Sequence, residues 1–171
     1  MITVSRPAAG LAATATTLLL TLTACGSPAP GPTSAQAGAE LRADLSRSIH
    51  GFEKDDYNKA LFTVTSSGIR DIPCGSGKAK RTYTARRTTG GQGINDPGFI
   101  DTAVDAMSTY LSESGHYTPA RRRFQARPAQ HFSTYDMTNA THHANATITG
   151  KATGQKFVLT ISATTDCLRV S

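Results

Sequence analysis

The sequence predicts an α+β domain: an antiparallel β-sheet with two helices packed on one face, in the order α-β-β-α-β-β-β, closed by one disulfide. Three observations carry that expectation. Two segments repeat apolar residues at helical spacing, several others alternate at strand spacing, and an even pair of cysteines remains once the first is set aside. Composition bounds the answer. With 171 residues, 38% hydrophobic and no Trp, the chain can build one small core. That excludes a multidomain enzyme, a polytopic membrane protein and a coiled coil, and the Gly, Pro and charge content is too low for a wholly disordered chain.

The N-terminus reads as an address. Residues 1–10 carry one cation, Arg6, and no acid, and an uncharged Leu-, Ala- and Thr-rich stretch follows that is too short for an ordinary membrane span. It ends in Leu22-Thr23-Ala24-Cys25, the pattern of a bacterial lipobox, in which small residues precede a Cys that is acylated and becomes the first residue after cleavage. Thioether formation needs the thiolate of Cys25, and two or more acyl chains give stable anchoring where one would be marginal. The other reading is an ordinary secretory signal with a chance Cys. Expected boundaries are a lipoprotein signal peptide at 1–24, a lipidated Cys and Pro/Gly-rich tether at 25–38, and a single domain at 39–171, held at the outer face of the cell membrane. Residues 26–38 hold three Pro, three Gly and no charge. Extended in polyproline fashion they would reach about 40 Å and hold the domain off the membrane.

Each element has its own signal. Leu41, Leu45, Ile49 and Phe52 form a helical stripe, opened after Gly38-Ala39 and closed near Gly51 or slightly later. Residues 54–67 would extend this helix or form a second turn before Gly68. Residues 68–74 read as a short strand entering Cys74, and 80–89 as a β-branched, alternating strand broken by the Gly-rich run 90–93. The second helix has a cap at Asp96, Pro97 at its first position, the stripe Ile100, Val104, Met107 and Leu111, and Gly115 as its expected stop. Residues 116–126 alternate, with Arg122 on the face opposite Arg121 and Arg123. Strands at 144–150 and 155–163 flank a hairpin turn at 151–154, and 130–138 pairs too, in a phase the residues leave open. Cys74 and Cys167, in an exported chain without C-x-x-C spacing, read as a disulfide worth roughly 4 kcal/mol. Two free thiols, or a metal site completed by His, are the alternatives.

The lipobox at Cys25, the strand from Gly68 to Cys74, the capped helix at Asp96-Pro97 and the final strand from Leu159 to Cys167 together resemble small actinobacterial cell-envelope lipoproteins, with the mycobacterial LppA-like lipoproteins the nearest named group. The resemblance is one of architecture over most of the mature chain. It implies a place and a fold, and no catalytic site. Where such proteins often carry Gly-Trp after the second helix, this chain has Gly115-His116-Tyr117.

Motifs of known catalysts are missing: no G-x-S-x-G, S-x-x-K, H-E-x-x-H or Walker A pattern occurs. Gly75-Ser76-Gly77-Lys78 reads as a turn rather than an anion-binding nest. The histidines are His50, His116, His131, His142 and His143; a strand would send the adjacent pair to opposite faces, so no metal and no cofactor is expected. The sequons at Asn139 and Asn145 fit chance in a Thr-rich strand.

Charge is the remaining signal. The net charge of +6 concentrates at 78–87 and 121–127, each without an acid, while Asp101 and Asp105 lie on the second helix. Alternation therefore predicts an anion-binding sheet face carrying Lys80, Arg86, Arg121 and Arg123, with Arg122 turned towards the helical acids. Nucleic acid is not the expected partner, because the compartment is wrong and stacking aromatics are scarce. The expected function is a non-catalytic, membrane-anchored binding module for an anionic wall polymer, a lipid headgroup or another exported protein; the alternative is an envelope hydrolase or transferase of unrecognised type.

Overall fold

A computed structural model describes residues 31–55, 60–91, 96–127 and 130–170. The expected signal peptide and lipobox at Cys25, and parts of the expected tether and of the Gly-rich break, lie outside the described residues. The architecture is the expected α+β domain: two helices on one face of an antiparallel sheet, with a disulfide between Cys74 and Cys167.

Helix α1 (Ser34–Asp55) begins five residues before the boundary expected at 39. The reason is a capping box: Thr33 Oγ1 accepts from the Gln36 amide at 3.3 Å, and Gln36 Oε1 accepts from the Thr33 amide at 2.9 Å. The expected tether therefore ends at Thr33 rather than at residue 38. Leu41, Leu45, Ile49 and Phe52 are all buried, and so are Asp44 and Ser48 between them.

Four strands, not two, separate the helices. Residues 63–67 form β1 (Thr63–Ser67) instead of prolonging the helix, because the β-branched run Thr63-Val64-Thr65 is stiff and pairs readily with an extended neighbour. The short strands β2 (Ile72–Gly75) and β3 (Lys78–Lys80) leave the main sheet and pair with β9 (Leu168–Arg169) in a small sheet of order β2-β3-β9. The disulfide, spanning 93 residues, ties β2 to the residue just before β9. The main sheet takes β1 and β4 (Thr82–Gly90) and continues, after α2 (Pro97–Gly115), with β5 (Thr118–Arg127), β6 (Gln130–Asn139), β7 (Ala144–Thr153) and β8 (Lys156–Thr165). Its order is β1-β4-β8-β7-β6-β5, antiparallel at every step.

Helix α2 is capped as the sequence predicts, with Asp96 Oδ1 accepting from the Gly98 amide at 3.0 Å. Its end differs. Gly115 is the last helical residue, and the left-handed position is taken by His116 at φ 56°. Gly115 is small for a packing reason, since a Cβ there would sit 2.9 Å from the Tyr117 ring. The core lies between the helices and the inward sheet face, where Ile100, Val104, Met107 and Leu111 meet Ile148, Leu159 and Ile161. Gly150 lets α2 lie directly on β7: a Cβ there would be 2.7 Å from Val104 Cγ2.

Candidate anion-binding face

Alternation and register together define the outward sheet face. On β4, Tyr83, Ala85, Arg87 and Thr89 are buried under the helices, so Thr82, Thr84, Arg86 and Thr88 point away. Cross-strand partners share a face, which lets whole rows be followed across the sheet. One row runs Arg86, Thr160, Thr149, Thr134, Arg123 over β4, β8, β7, β6 and β5. Its neighbour runs Thr84, Ser162, Thr147, Asp136, Arg121. The face is an array of hydroxyls with a cation at or near each side.

Three of the four expected cations share this face and one does not. Arg86, Arg121 and Arg123 lie on it, whereas Lys80 sits on β3 in the small sheet. The sequence shows a single basic run over 78–87, and the break at Arg81 that passes the chain from one sheet to the other carries no Gly or Pro to announce it. Nor do the three form one cluster. Arg86 and Arg123 are four strands apart, roughly 19 Å. Asp136 stands beside the edge arginines: its Oδ2 accepts from Arg123 Nη2 at 3.2 Å and its Oδ1 from Thr147 Oγ1 at 2.9 Å. Arg122 does turn inward. Its Nη2 lies 2.5 Å from Asp101 Oδ2 and 3.0 Å from Asp105 Oδ2, and its guanidinium stacks 5.7 Å from the Tyr135 ring centroid.

The concentrated positive site is elsewhere on the same face. Arg86, Lys151 and Lys156 line a groove of about 450 Å³ with Thr149, Thr153, Thr160 and Val158. No acid lines it, and among the described residues no carboxylate forms an ion pair with any of the three cations. Lys151 is absent from the sequence expectation because residues 151–154 read there as a turn. In the structure the strands run on to Thr153 and from Lys156, and the turn is only Gly154-Gln155, with Gly154 at φ 60°. A glycine followed by one polar residue, inside an unbroken alternation, is the signal that places Lys151 in the strand.

A second cavity, about 240 Å³, opens between the C-terminal half of α1, α2 and the sheet. It is lined by Phe52, Phe99, Phe157, Ala103 and Ala106, with Thr102, Asp55, Arg87 and Tyr110 as its polar residues. The Tyr110 hydroxyl donates to Asp55, and Arg87 lies 5.3 Å from the Phe52 ring centroid. Among the described lining residues there is no His, Cys or Ser, so Thr102 has no histidine base beside it.

The histidine pair braces the turn between β6 and β7. His142 and His143 lie in the turn between β6 and β7, not in a strand. His142 Nδ1 is 2.6 Å from Oδ2 of Asp44, which is 1% exposed, while His143 Nδ1 is 3.5 Å from Asp166 Oδ2. Burial pushes the Asp44 carboxyl above its usual range, against the opposing hydrogen bond and charge of His142. Asn139 completes the clamp by donating to the Gly115 carbonyl at 2.6 Å and accepting from the His142 amide at 2.9 Å. Among the described residues no group of three His, Cys, Asp or Glu could hold a metal ion, and no helix is long and apolar enough to cross a membrane.

Comparison with known proteins finds no family model and no curated protein that matches this chain.

Proposed function

We propose that the chain is a lipid-anchored envelope protein, similar to the mycobacterial LppA-like lipoproteins, whose outward sheet face binds an anionic cell-wall polymer without catalysis. One observation carries the binding part: Arg86, Lys151 and Lys156 converge with threonine hydroxyls in one groove free of carboxylates. Lysines are adaptable point charges and Arg86 is a fixed fork, so the set suits phosphate or carboxylate groups repeated along a flexible chain. The hydroxyl rows offer donors and acceptors to a polyol or sugar backbone lying across the strands. Anchoring at Cys25 supports the same reading, because it holds the groove in the compartment where such polymers are found.

The test is retention on immobilised anionic wall polymer as salt is raised. The unmodified protein is held from low salt through physiological ionic strength, where the screening length is about 8 Å, and released only as salt is raised further. Combined Arg86→Gln, Lys151→Gln and Lys156→Gln substitutions, all at exposed positions, release it at much lower salt without changing its melting temperature. Unaltered retention of that variant, or no retention of the parent at low salt, removes the proposal.

A further inference from the structure

The small sheet stands at the end of the domain where α1 begins. Ser34 Oγ donates to Asp71 Oδ1 at 3.0 Å, and Arg81 Nε donates to the same oxygen at 2.7 Å. Gly38 brings the helix so close to the segment ahead of β2 that a Cβ there would be 3.0 Å from the Gly68 carbonyl oxygen. The first helical turns and the small sheet are therefore one rigid end, and the disulfide fastens β2 to the chain beside β9 within it.

That end is both apolar and cationic. Ala79 is buried, so Lys78 and Lys80 point outward, and their cross-strand partners Arg169 and Ile72 point the same way. Ile72 is 41% exposed, and Ile69, three residues earlier in the loop between β1 and β2, is 57% exposed. Arg70, Lys78, Lys80 and Arg169 form no ion pair among the described residues; the one carboxylate in the segment, Asp71, is held by Ser34 and Arg81. Exposed isoleucines set among unpaired cations have the composition of a surface that rests at the headgroup level of an anionic bilayer.

We propose that the outward face of the small sheet, with Ile72 on it and the exposed Ile69 in the loop leading into it as apolar contacts, seats the domain on an anionic lipid surface. The inference rests on the reading of Cys25 as lipidated and deepens it. The chain leaves the described domain at Gly31, six residues after Cys25, so an anchor there must deliver the membrane to the neighbourhood of Ser34 and hence of Asp71 and Ile69. Lipid and not wall polymer is the occupant chosen, because the anchor end is within tether reach and because a polyanion gains nothing from the two isoleucines.

The chain has no Trp, which makes a single introduced indole an unambiguous reporter. Mature protein carrying Ile69→Trp is reconstituted in vesicles containing phosphatidylglycerol, with and without brominated acyl chains. Leu61→Trp is the comparison; Leu61 is 72% exposed and lies beyond the other end of β1, up to ~25 Å away along the chain. The expected result is a blue-shifted, bromine-quenched emission at position 69 and neither change at 61. Quenching at 69 falls when Lys78→Gln, Lys80→Gln and Arg169→Gln are combined, or when phosphatidylglycerol is replaced by phosphatidylcholine. Intact mass reports Cys25 in the same preparation. A lipidated chain with equal emission at both positions overturns this inference alone; a chain without lipid on Cys25 overturns it together with the anchor.

Discussion

Arg122→Ala separates the structural arginine from the two beside it. In the parent, Arg122 bridges Asp101 and Asp105 at 2.5 and 3.0 Å and covers the Tyr135 ring, which ties β5 to α2. All three charged groups are partly solvated, so the pairs contribute about 1 kcal/mol together, and the cation–π contact about 0.5 kcal/mol more. Losing ~1.5 kcal/mol lowers the melting temperature of a domain this size by about 5 °C. The pH dependence is distinctive. Burial raises the Asp101 carboxyl, but hydrogen bonds from Arg122 and Ser133 and the guanidinium charge outweigh it and hold the group below its usual range. A depressed carboxyl contributes stability that is present above its unfolded value, near 3.9, and lost as pH falls through the folded one. The gap between thermal melts of parent and variant should therefore be full at neutral pH and narrow only as pH falls below about 3.9 through the depressed folded value, leaving the smaller Tyr135 contribution. In polymer retention Arg122→Ala should match the parent, while Arg121→Ala combined with Arg123→Ala should elute earlier. A melting gap that persists unchanged in acid would assign the loss to packing on Tyr135. Equal weakening of retention by all three arginines would show that net charge, not the face, governs binding.

Gly150→Ala should cost roughly 1–3 kcal/mol in urea unfolding, because its Cβ would meet Val104 Cγ2 at 2.7 Å, and adding Val104→Ala should return part of that loss. Cys74→Ser or Cys167→Ser should lower stability by about 4–5 kcal/mol, as expected for opening a 93-residue loop; an unfolding curve like the parent's would contradict this. The raised carboxyl of Asp44 makes the fold lose stability as pH rises from near 3.9 through the folded value, so Asp44→Asn should flatten urea midpoints against pH in that window, and an unchanged slope would refute it. Gln36→Ala should remove about 0.5–1 kcal/mol with the capping box, seen as a lower melting temperature.

What was legible in the sequence was whatever a local period or a local cap decides. Both helical stripes, the Asp96-Pro97 start and the opposed faces of Arg122 and Arg123 all depend on neighbours within a few residues, and the structure has each of them. Thr33 and Gln36 were equally local, and the capping-box spacing would have placed the helix start at Ser34. Non-local pairing was not legible. Nothing near Lys80 states that its partner strand is Ile72–Gly75, which puts it in a different sheet from Arg86. Asp44 lies between: its spacing from Leu41 and Leu45 places a carboxylate in the apolar stripe, but only the fold supplies His142 from the β6–β7 turn.

The two cationic regions cannot serve one flat surface, and this constrains how the proposed roles combine. The chain leaves the small sheet after Lys80, and β4 runs from Thr82 to Gly90, opposite Lys156. The groove of Arg86, Lys151 and Lys156 thus opens towards the far end of the strands from Lys80 and Ile72, by roughly 20–30 Å of extended chain. That distance exceeds the screening length severalfold at physiological salt, so neither cluster alters the field felt by the other. In the proposed arrangement, a bilayer seated on the small sheet would meet the opposite end of the strands from the groove. The order of effects follows: substitutions in the groove change polymer retention and not bilayer contact, and substitutions in the small sheet do the reverse.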